Sequence, residues 1–293
     1  MTTAIPKGLI DIHSHILPGL DDGPADMEQA LAAARKYRAL GFSCVVATPH
    51  WVKFTGWSFS PDRISAAVAE LEIKLKEAGV PLMILPGMEI GLPDRLTRDD
   101  LEAQLLRLGT SVRHLIELPL HDPRISLKKS LFHLADDRGE LGIVLAHPER
   151  CAAFQDNHGS LREVTARGGY LQMNIGSVLG AFGAQIQQTA LRLLREGMVH
   201  FLATDSHAVG RRMPPGPTTW NLLAEMLGND AVIAACAENP RRLLAGKPVA
   251  PVPVPAEMLD KCSSGDYTEK EYNLNKLPSN PGLVGTLRKL FRT

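Results

Sequence analysis

Short apolar runs alternate with amphipathic stretches from residue 9 to about residue 245. The apolar runs have the length and the β-branched content of buried strands. They fall at residues 9–13, 43–48, 82–89, 112–118, 142–147, 170–175 and 199–204. The intervening stretches space their apolar residues three and four positions apart, which predicts helices. These cover residues 26–40, 61–78, 98–108, 124–138, 159–167, 184–196, 217–227 and 230–245.

This alternation predicts an α/β fold, because neighbouring parallel strands are joined by helical crossovers. Seven such units predict a barrel with helices outside it. In barrels of this kind the active site lies at the carboxyl ends of the strands. Residues with ligand chemistry should therefore follow the predicted strands.

Histidines and carboxylates do follow the strands. The first strand leads into Asp11-Ile12-His13-Ser14-His15, where His13 and His15 share one side because strand side chains alternate with a period of two. Asp205 and His207 repeat this spacing after the last strand. The other candidates at strand ends, or in the turn beyond the first strand, are Asp22, His50, Glu89, Glu117 and His147.

Nine nitrogen and oxygen ligands without a cysteine are too many for one ion, so the set predicts a cluster. Imidazole and carboxylate together suit manganese, iron or zinc. Glu89 and Glu117 are suited to bridge neighbouring ions. Because such a cluster activates water and holds an anionic oxygen, phosphate ester hydrolysis is the predicted chemistry.

Three arginines follow predicted ligand positions. A guanidinium is a planar, two-pronged clamp for phosphate, and this is the preferred interpretation of Arg150. For Arg211 and Arg212 a phosphate clamp and a surface ion pair are both open. The alternative for all three is an ion pair at the surface.

The four cysteines show no CxxC spacing, so neither a zinc finger nor a disulfide framework is predicted. Cys236 and Arg242 have the Cys-x5-Arg spacing of thiol-dependent phosphatases. That loop cradles phosphate with consecutive backbone N–H groups, and Pro240 removes one of them within a segment predicted to be helical. A cysteine mechanism is therefore not expected.

The composition narrows the choice of partner and location. The 293 residues carry a formal net charge of zero and no basic run, which argues against nucleic acid as a partner. Residues 1–7 lack the pattern of a signal peptide, and no apolar run reaches the ~18 residues that span a bilayer. A cytoplasmic location is the expectation.

An ordered series of motifs resembles the PHP (polymerase and histidinol phosphatase) superfamily. The series is D-I-H-S-H, L-D-D-G, A-T-P-H, G-M-E-I, I-E-L, A-H-P-E-R, Q-M-N-I-G-S and A-T-D-S-H, within residues 8–246. It is most similar to the bacterial manganese-dependent protein-tyrosine phosphatases of capsule and exopolysaccharide loci. The resemblance implies a PHP-type fold, a distorted seven-stranded (β/α)7 barrel.

The resemblance also implies three divalent ions, most often Mn²⁺, with iron and zinc as alternatives. The first would be held by His13, His15, Glu89 and Asp205, the second by Glu89, Glu117 and His147, and the third by Asp22, His50 and His207. Arg150 would contact phosphate, with Arg212 or its neighbour Arg211 as a second arginine. A metal-bound hydroxide would attack phosphorus in line, and His207 or Asp205 would assist proton transfer.

The implied function is a metal-dependent protein-tyrosine phosphatase acting on a tyrosine kinase that regulates capsular or exopolysaccharide synthesis. One alternative is a small-metabolite phosphatase of the histidinol-phosphatase type. Another is a PHP-type nuclease, against which the neutral charge argues. The sequence leaves the oligomeric state open.

Two segments lie outside these motifs. The loop 51–59 carries four aromatic residues, which predict either a cradle for a phosphotyrosine ring or a small satellite core. Residues 1–246 are predicted to form the catalytic barrel, and residues 247–293 a Pro-rich linker and polar tail. The tail ends in a short basic amphipathic stretch, 283–292, predicted either to touch a membrane surface or a partner, or to be frayed.

Overall fold

A computed structural model describes residues 7–92, 96–155, 157–207 and 217–253. Seven of its strands fall on the predicted apolar runs, and two more, at residues 50–51 and 89–91, lie at or beyond the ends of the second and third runs. The strands are β1 (Leu9–Ser14), β2 (Phe42–Ala47), β3 (His50–Trp51), β4 (Met83–Pro86), β5 (Glu89–Gly91), β6 (His114–Glu117), β7 (Ile143–Ala146), β8 (Tyr170–Asn174) and β9 (Phe201–Ala203). Almost all of their residues are buried, because helices cover the strands as parallel sheets require.

The strands pair in parallel throughout and form two sheets. The first sheet has the order β1-β2-β4, and the second has the order β3-β5-β6-β7-β8-β9. A single parallel bridge between Ser14 and Ser206 connects the end of β1 with the residues after β9. The predicted α/β class with parallel strands is thus confirmed, and all strands direct their carboxyl ends to one side of the molecule.

The two additional strands, β3 and β5, follow short breaks in the chain, which is why the described residues form nine strands where seven runs were predicted. Pro49 separates β2 from β3, since proline has no N–H to donate to a neighbouring strand. Gly87 and Met88 separate β4 from β5, and a Cβ at Gly87 would lie 2.8 Å from Cγ1 of Val46. The chain therefore changes sheets at both breaks, and the closed seven-stranded barrel stays a prediction.

Most of the helices lie close to the predicted stretches, whereas the short helices at residues 152–155 and 175–178 were not predicted. The helices are α1 (Met27–Ala39), α2 (Pro61–Glu77), α3 (Arg98–Gln104), α4 (Leu127–Ser130), α5 (Ala152–Gln155), α6 (Gly159–Ala166), α7 (Ile175–Val178), α8 (Ala184–Arg195), α9 (Pro217–Leu227), α10 (Asn229–Ile233) and α11 (Asn239–Leu244). Asp26 caps α1 by accepting a hydrogen bond from the backbone N–H of Gln29 at 2.9 Å. Gly41 follows this helix with a φ of 91°, a conformation that favours glycine. No helix in the described part of the chain is both long and apolar enough to cross a membrane.

Two helical predictions were wrong in detail. The stretch predicted as one helix at 124–138 is α4 followed by a 3₁₀ turn, Phe132–Leu134. These two short turns bury Leu127 and Leu134 in the core, as one continuous helix was expected to do. The stretch at 230–245 contains a π-helix, Ala234–Glu238, between α10 and α11. Cys236 lies in this π-helix and is buried.

Residues that follow α11 pack against the sheets. Val252 donates its backbone N–H to the carbonyl of Val199 at 2.7 Å, and Val249 donates to the hydroxyl of Tyr170 at 3.1 Å. Both valine side chains are buried. Up to Pro253, therefore, the stretch assigned to the linker contributes to the body of the protein. The domain boundary at residue 246 stays a prediction, and the amphipathic stretch at 283–292 lies outside the described residues.

A chain that ends at Gly246 should be less stable than one that ends at Pro253. The shorter chain loses the burial of Val249 and Val252, and each buried valine contributes about 1.5 kcal/mol or more. We expect the free energy of unfolding in urea to fall by about 3 kcal/mol with little change in slope. Equal midpoints for the two chains would show that these residues contribute nothing to stability.

Candidate metal centre

The structure brings all nine predicted ligand residues together at the carboxyl ends of the strands. They form four overlapping groups whose ligand atoms lie within 4.8 Å of one another. The groups are His13, His15 and Asp205; His13, Glu89 and His147; His50, Glu89 and Glu117; and His15, Asp22, His50 and His207. Every one of these residues is buried or half-buried.

The end of β1 and the residues after β9 hold each other in register. His15 donates its backbone N–H to the carbonyl of Ser206 at 2.8 Å, and Asp205 donates to the carbonyl of His13 at 3.0 Å. Strand alternation then directs His13 and His15 to one side. Asp205 has a φ of 53° and His147 a φ of 27°, conformations that cost a residue with a Cβ about 1–3 kcal/mol. This strain indicates that the side chains at these strand ends are held in place by their surroundings.

Glu89 is the common partner of four histidines. Its Oε1 lies 3.1 Å from Nε2 of His13 and 3.0 Å from Nε2 of His147. Its Oε2 lies 3.2 Å from Nε2 of His15 and 3.0 Å from Nδ1 of His50. The carboxylate thus belongs to two of the four groups, and a ligand shared in this way would bridge neighbouring ions.

Asp22 and Glu117 contact different histidines of this centre. Oδ1 of Asp22 lies 3.6 Å from Nε2 of His50 and 3.3 Å from Nε2 of His207. Oε1 of Glu117 lies 3.7 Å from Nε2 of His147. Asp205 contacts both histidines of β1, with Oδ1 at 3.5 Å from Nε2 of His13 and of His15.

The donor set fits divalent cations. Buried polar atoms are normally hydrogen-bonded, yet several atoms that point into the centre have no hydrogen-bond partner in the described structure. They are Nε2 of His13, Nε2 of His15, Nδ1 of His50 and Oε2 of Glu89. Imidazole nitrogens and carboxylate oxygens that approach one another without forming hydrogen bonds are the arrangement that a bound cation would satisfy.

A second layer of side chains orients the histidines. Nδ1 of His15 lies 2.6 Å from Oδ2 of Asp21, and Nδ1 of His13 lies 2.9 Å from Oε1 of Gln172. Nδ1 of His207 lies 2.9 Å from the carbonyl of Asp205. In each case the Nδ1–H would be donated to oxygen, so that Nε2 carries the lone pair that faces the centre.

The carboxylate of Asp11 joins β1 to the last strand end beneath the centre. Its Oδ1 accepts the backbone N–H of His13 at 3.1 Å and that of Thr204 at 3.2 Å. Its Oδ2 accepts the hydroxyl of Tyr37 at 2.9 Å, and Thr204 donates its own hydroxyl to the same oxygen. Tyr37 also contacts Ser14. This fully buried network fixes the two strand ends that carry four of the nine residues.

The predicted site residues do not include Asp21, Gln172 or Tyr37. Asp21 and Asp22 stand side by side in L-D-D-G, and only the turn geometry separates the one that faces His15 from the one that faces His50 and His207. Gln172 is a polar residue within a predicted buried strand, which is a usable signal. Tyr37 lies on the apolar face of α1 and carried no signal of its contact with Asp11.

Burial and neighbouring charges act in opposite directions on the histidines. Burial lowers the pKa of His13, but the carboxylates of Glu89 and Asp205 outweigh it and raise the pKa to about 9. Burial dominates at His147 and lowers its pKa to about 4. Burial, reinforced by the charge of Glu89, raises the pKa of Glu117 to about 7.

Arg150 lies at the edge of the centre. Its Nη1 donates to Oδ2 of Asp205 at 2.9 Å, and the same oxygen accepts a hydrogen bond from Nδ2 of Asn174 at 2.7 Å. The guanidinium also stacks on the ring of Phe182, 4.7 Å from its centroid. Arg150 is thus fixed beside the predicted ligands with other N–H groups left to donate. Arg211 and Arg212 lie outside the described residues.

The sequence as a whole matches known proteins of one kind. The family model for capsular polysaccharide synthesis, CpsB/CapC, matches residues 9–245. The tyrosine-protein phosphatase YwqE of Bacillus subtilis is 34% identical over 205 residues, which cover 70% of this chain and 79% of YwqE. The tyrosine-protein phosphatase CpsB of Streptococcus pneumoniae is 29% identical over 248 residues, which cover 80% of this chain and 98% of CpsB.

Solved structures agree with the sequence matches. A crystal structure from work on YwqE and CpsB, described as metal-dependent tyrosine phosphatases, superposes with a TM-score of 0.72 at 30% identity. The match covers 84% of this chain and all of the other. A phosphotriesterase homology protein from Escherichia coli has a TM-score of 0.50 at 12% identity, over 82% of this chain and 99% of that protein, which shows a likeness of fold alone.

Replacing Asp21 by asparagine should weaken metal binding without unfolding the protein. Burial would raise the pKa of Asp21, but His15 and the backbone donors lower it to about 2, so the residue is a carboxylate that orients the ring. Loss of such a partner typically costs about 10- to 100-fold in metal affinity. Calorimetric titration of Asp21→Asn with Mn²⁺ tests this. Asp26→Asn is the matched control, because asparagine caps a helix as well as aspartate. Equal affinities for both variants would contradict the role of Asp21.

The metal-free and metal-loaded proteins should respond oppositely to pH. Without metal, His13 has a pKa of about 9 in the folded state against about 6.5 when unfolded, so its contribution to stability is full below pH 6.5 and is lost as the pH rises through 9. Cation binding instead requires the neutral ring, so metal affinity should rise over the same range. Thermal unfolding between pH 6.5 and 9, with chelator and with Mn²⁺, should show midpoints that fall and rise respectively. Parallel curves would contradict the assignment of His13 as a ligand.

Proposed function

The chain belongs to the CpsB/CapC family of capsular polysaccharide synthesis, and on that premise we propose that it is a metal-dependent phosphatase that hydrolyses phosphotyrosine in a protein substrate. The family and the class of activity predicted from the sequence agree with the relatives YwqE and CpsB, both named tyrosine-protein phosphatases. The observation that carries the proposal is the buried cluster of five histidines and four carboxylates, with ligand atoms converging from strand ends.

We propose three divalent ions, with manganese as the physiological metal. His13, His15, Glu89 and Asp205 would hold the first ion; Glu89, Glu117 and His147 the second; Asp22, His50 and His207 the third. The four overlapping groups support this division, since each proposed set shares at least two residues with one of them. In these groups His15 accompanies the residues proposed for the third ion, and His13 accompanies Glu89 and His147 of the second.

Bound ions of this kind acidify water and neutralise the charge of a transferring phosphoryl group. The side chains of the chain itself position the ester. Arg150 would donate to phosphate oxygens through the N–H groups that Asp205 does not use. Asp205 and His207 are proposed to accept and return the proton of the attacking water. Arg212, or Arg211, is proposed as a second contact to phosphate.

We infer that the three thiols in the described part of the chain contribute no nucleophile to this reaction. Cys44, Cys151 and Cys236 are buried, and burial raises the pKa of the Cys44 thiol to about 12. A thiolate exposed to substrate is the nucleophile of cysteine-dependent phosphatases, and none of these three groups meets that requirement. Hydrolysis should therefore depend on metal and survive alkylation of accessible thiols.

The family description directs the choice of substrate. Because the family acts in capsular polysaccharide synthesis, we propose a phosphorylated tyrosine kinase of that process as the substrate. A cytoplasmic location is proposed with it, since a kinase phosphorylated at the expense of ATP lies there.

Turnover of a phosphotyrosine peptide should require metal and the two histidines of β1. The chelated protein should be inactive and should recover with Mn²⁺, while prior alkylation with iodoacetamide should change nothing. His13→Ala combined with His15→Ala removes ligands of the first proposed ion, so we expect a loss of at least about 10³-fold in kcat/KM. Metal content by mass spectrometry should fall in the same variant while its circular dichroism is retained.

The same assay separates the alternatives. Histidinol phosphate in place of the peptide tests the small-metabolite phosphatase, and a single-stranded oligonucleotide tests the nuclease. Preferential turnover of either would overturn the proposal. Full activity of the double histidine variant would show that the cluster has no part in hydrolysis.

A further inference from the structure

A cavity of about 910 Å³ lies beside the metal centre at the carboxyl ends of β3, β5 and β6. These three strands are neighbours in the larger sheet, so the segments that leave them form one continuous wall. The lining is mostly apolar, with Val52, Phe54, Leu92, Leu118 and Leu120 among its residues. Its size is within the usual range for sites that take small organic groups.

Glu117 connects this cavity with the metal centre. Its side chain lines the cavity, and its Oε1 lies 3.7 Å from Nε2 of His147. Glu117 also forms one of the four candidate groups together with His50 and Glu89. The cavity therefore opens onto the place where a phosphoryl group would be held, and a group attached to that phosphate has a path into it.

Phe54 stands at the cavity with its ring in water. It is 92% exposed, an unusual state for a phenylalanine. The turn that carries it is tied together, because the carbonyl of Val52 accepts hydrogen bonds from the hydroxyls of Thr55 and Ser58, each at 2.7 Å. The ring is thus presented by a braced turn, and burying it against a ligand would remove its large apolar surface from water.

The aromatic loop divides into two parts with different surroundings. Trp57 stacks on the ring of His50, with centroids 5.0 Å apart and planes at 12°. It covers the centre from one side, whereas Phe54 lines the cavity. Trp51 is buried in the core. Trp51 thus belongs to the main core rather than to a small satellite core, and the position of Phe54 favours contact with substrate.

We propose that this cavity binds the ring of the phosphotyrosine and an apolar side chain next to it in the substrate, with Phe54 as the residue that selects for that neighbour. The inference rests on the proposed function, since it takes the phosphate to be held at the metal centre. From there the ring passes Glu117 and enters the apolar wall at Leu118 and Leu120. The next side chain of the peptide reaches Phe54 and covers it. A small phosphate monoester fills only the inner part of the cavity and leaves Phe54 exposed.

Two phosphotyrosine peptides that carry leucine or glycine on both sides of the phosphotyrosine test this. The full-length, metal-loaded protein should prefer the leucine peptide in kcat/KM by about tenfold, from the apolar area that is buried. Phe54→Ala should reduce the preference to about twofold, and Phe54→Leu should retain most of it. The comparison uses a ratio between two substrates, so a general loss of activity cannot produce the effect. Circular dichroism and metal content establish that the variants are folded and loaded.

Ile73→Ala is the matched control, because Ile73 is also an exposed apolar residue, 58% accessible, but lies on α2. It should keep the wild-type preference for the leucine peptide. No preference in the wild type, or a full preference in Phe54→Ala, would overturn the assignment of the cavity while leaving the phosphatase function intact. Absence of turnover of both peptides, with turnover of a metabolite phosphate, would instead overturn the proposed function.

Discussion

The buried carboxylate of Glu89 is the interaction on which this arrangement depends. Four imidazoles approach its two oxygens within 3.2 Å, from residues on or directly after β1, β3 and β7. A carboxylate without partners in such a place would cost several kcal/mol. Conversely, the histidines need a negative charge beside them whenever they are protonated or hold a cation. Glu89 can play both parts because it begins β5, in the larger sheet, while β1 lies in the smaller one.

The two sheets meet at the ends of β1 and β9, where few backbone hydrogen bonds join them. The single bridge at Ser14 and Ser206 is reinforced by Asp11, which accepts from the backbone on both sides. Burial raises the pKa of Asp11, despite the donors that lower it. The carboxyl group of Asp11 thus joins the backbone at His13 to the backbone at Thr204, next to Asp205.

Much of this organisation could be predicted from the residues alone. The strand positions followed from apolar runs, and the ligand residues followed from the rule that parallel strands present their carboxyl ends together. The interruption by Pro49 was visible in the sequence, but its effect on sheet pairing was not, since it depends on which neighbour lies beside each half of the strand. Asp21 and Asp22 are chemically identical neighbours, so their separate roles needed the conformation of the turn. Tyr37 reaches Asp11 across the core, a contact between residues 26 positions apart that periodicity does not encode.

The proposed metal site and the proposed substrate cavity occupy different parts of the same side of the molecule, at the carboxyl ends of the strands. The proposed ligands stand at strand ends, where backbone hydrogen bonds and a second layer of side chains hold them in place. The cavity beside them is built from the segments that leave β3, β5 and β6, and segments of that kind can change in sequence without disturbing the strands. Glu117 belongs to both parts, as a residue of the centre and of the cavity wall. A change of specificity should therefore be reached through Phe54 and the residues beyond Glu117, because a substitution at Glu117 itself would alter the charge at the metal centre.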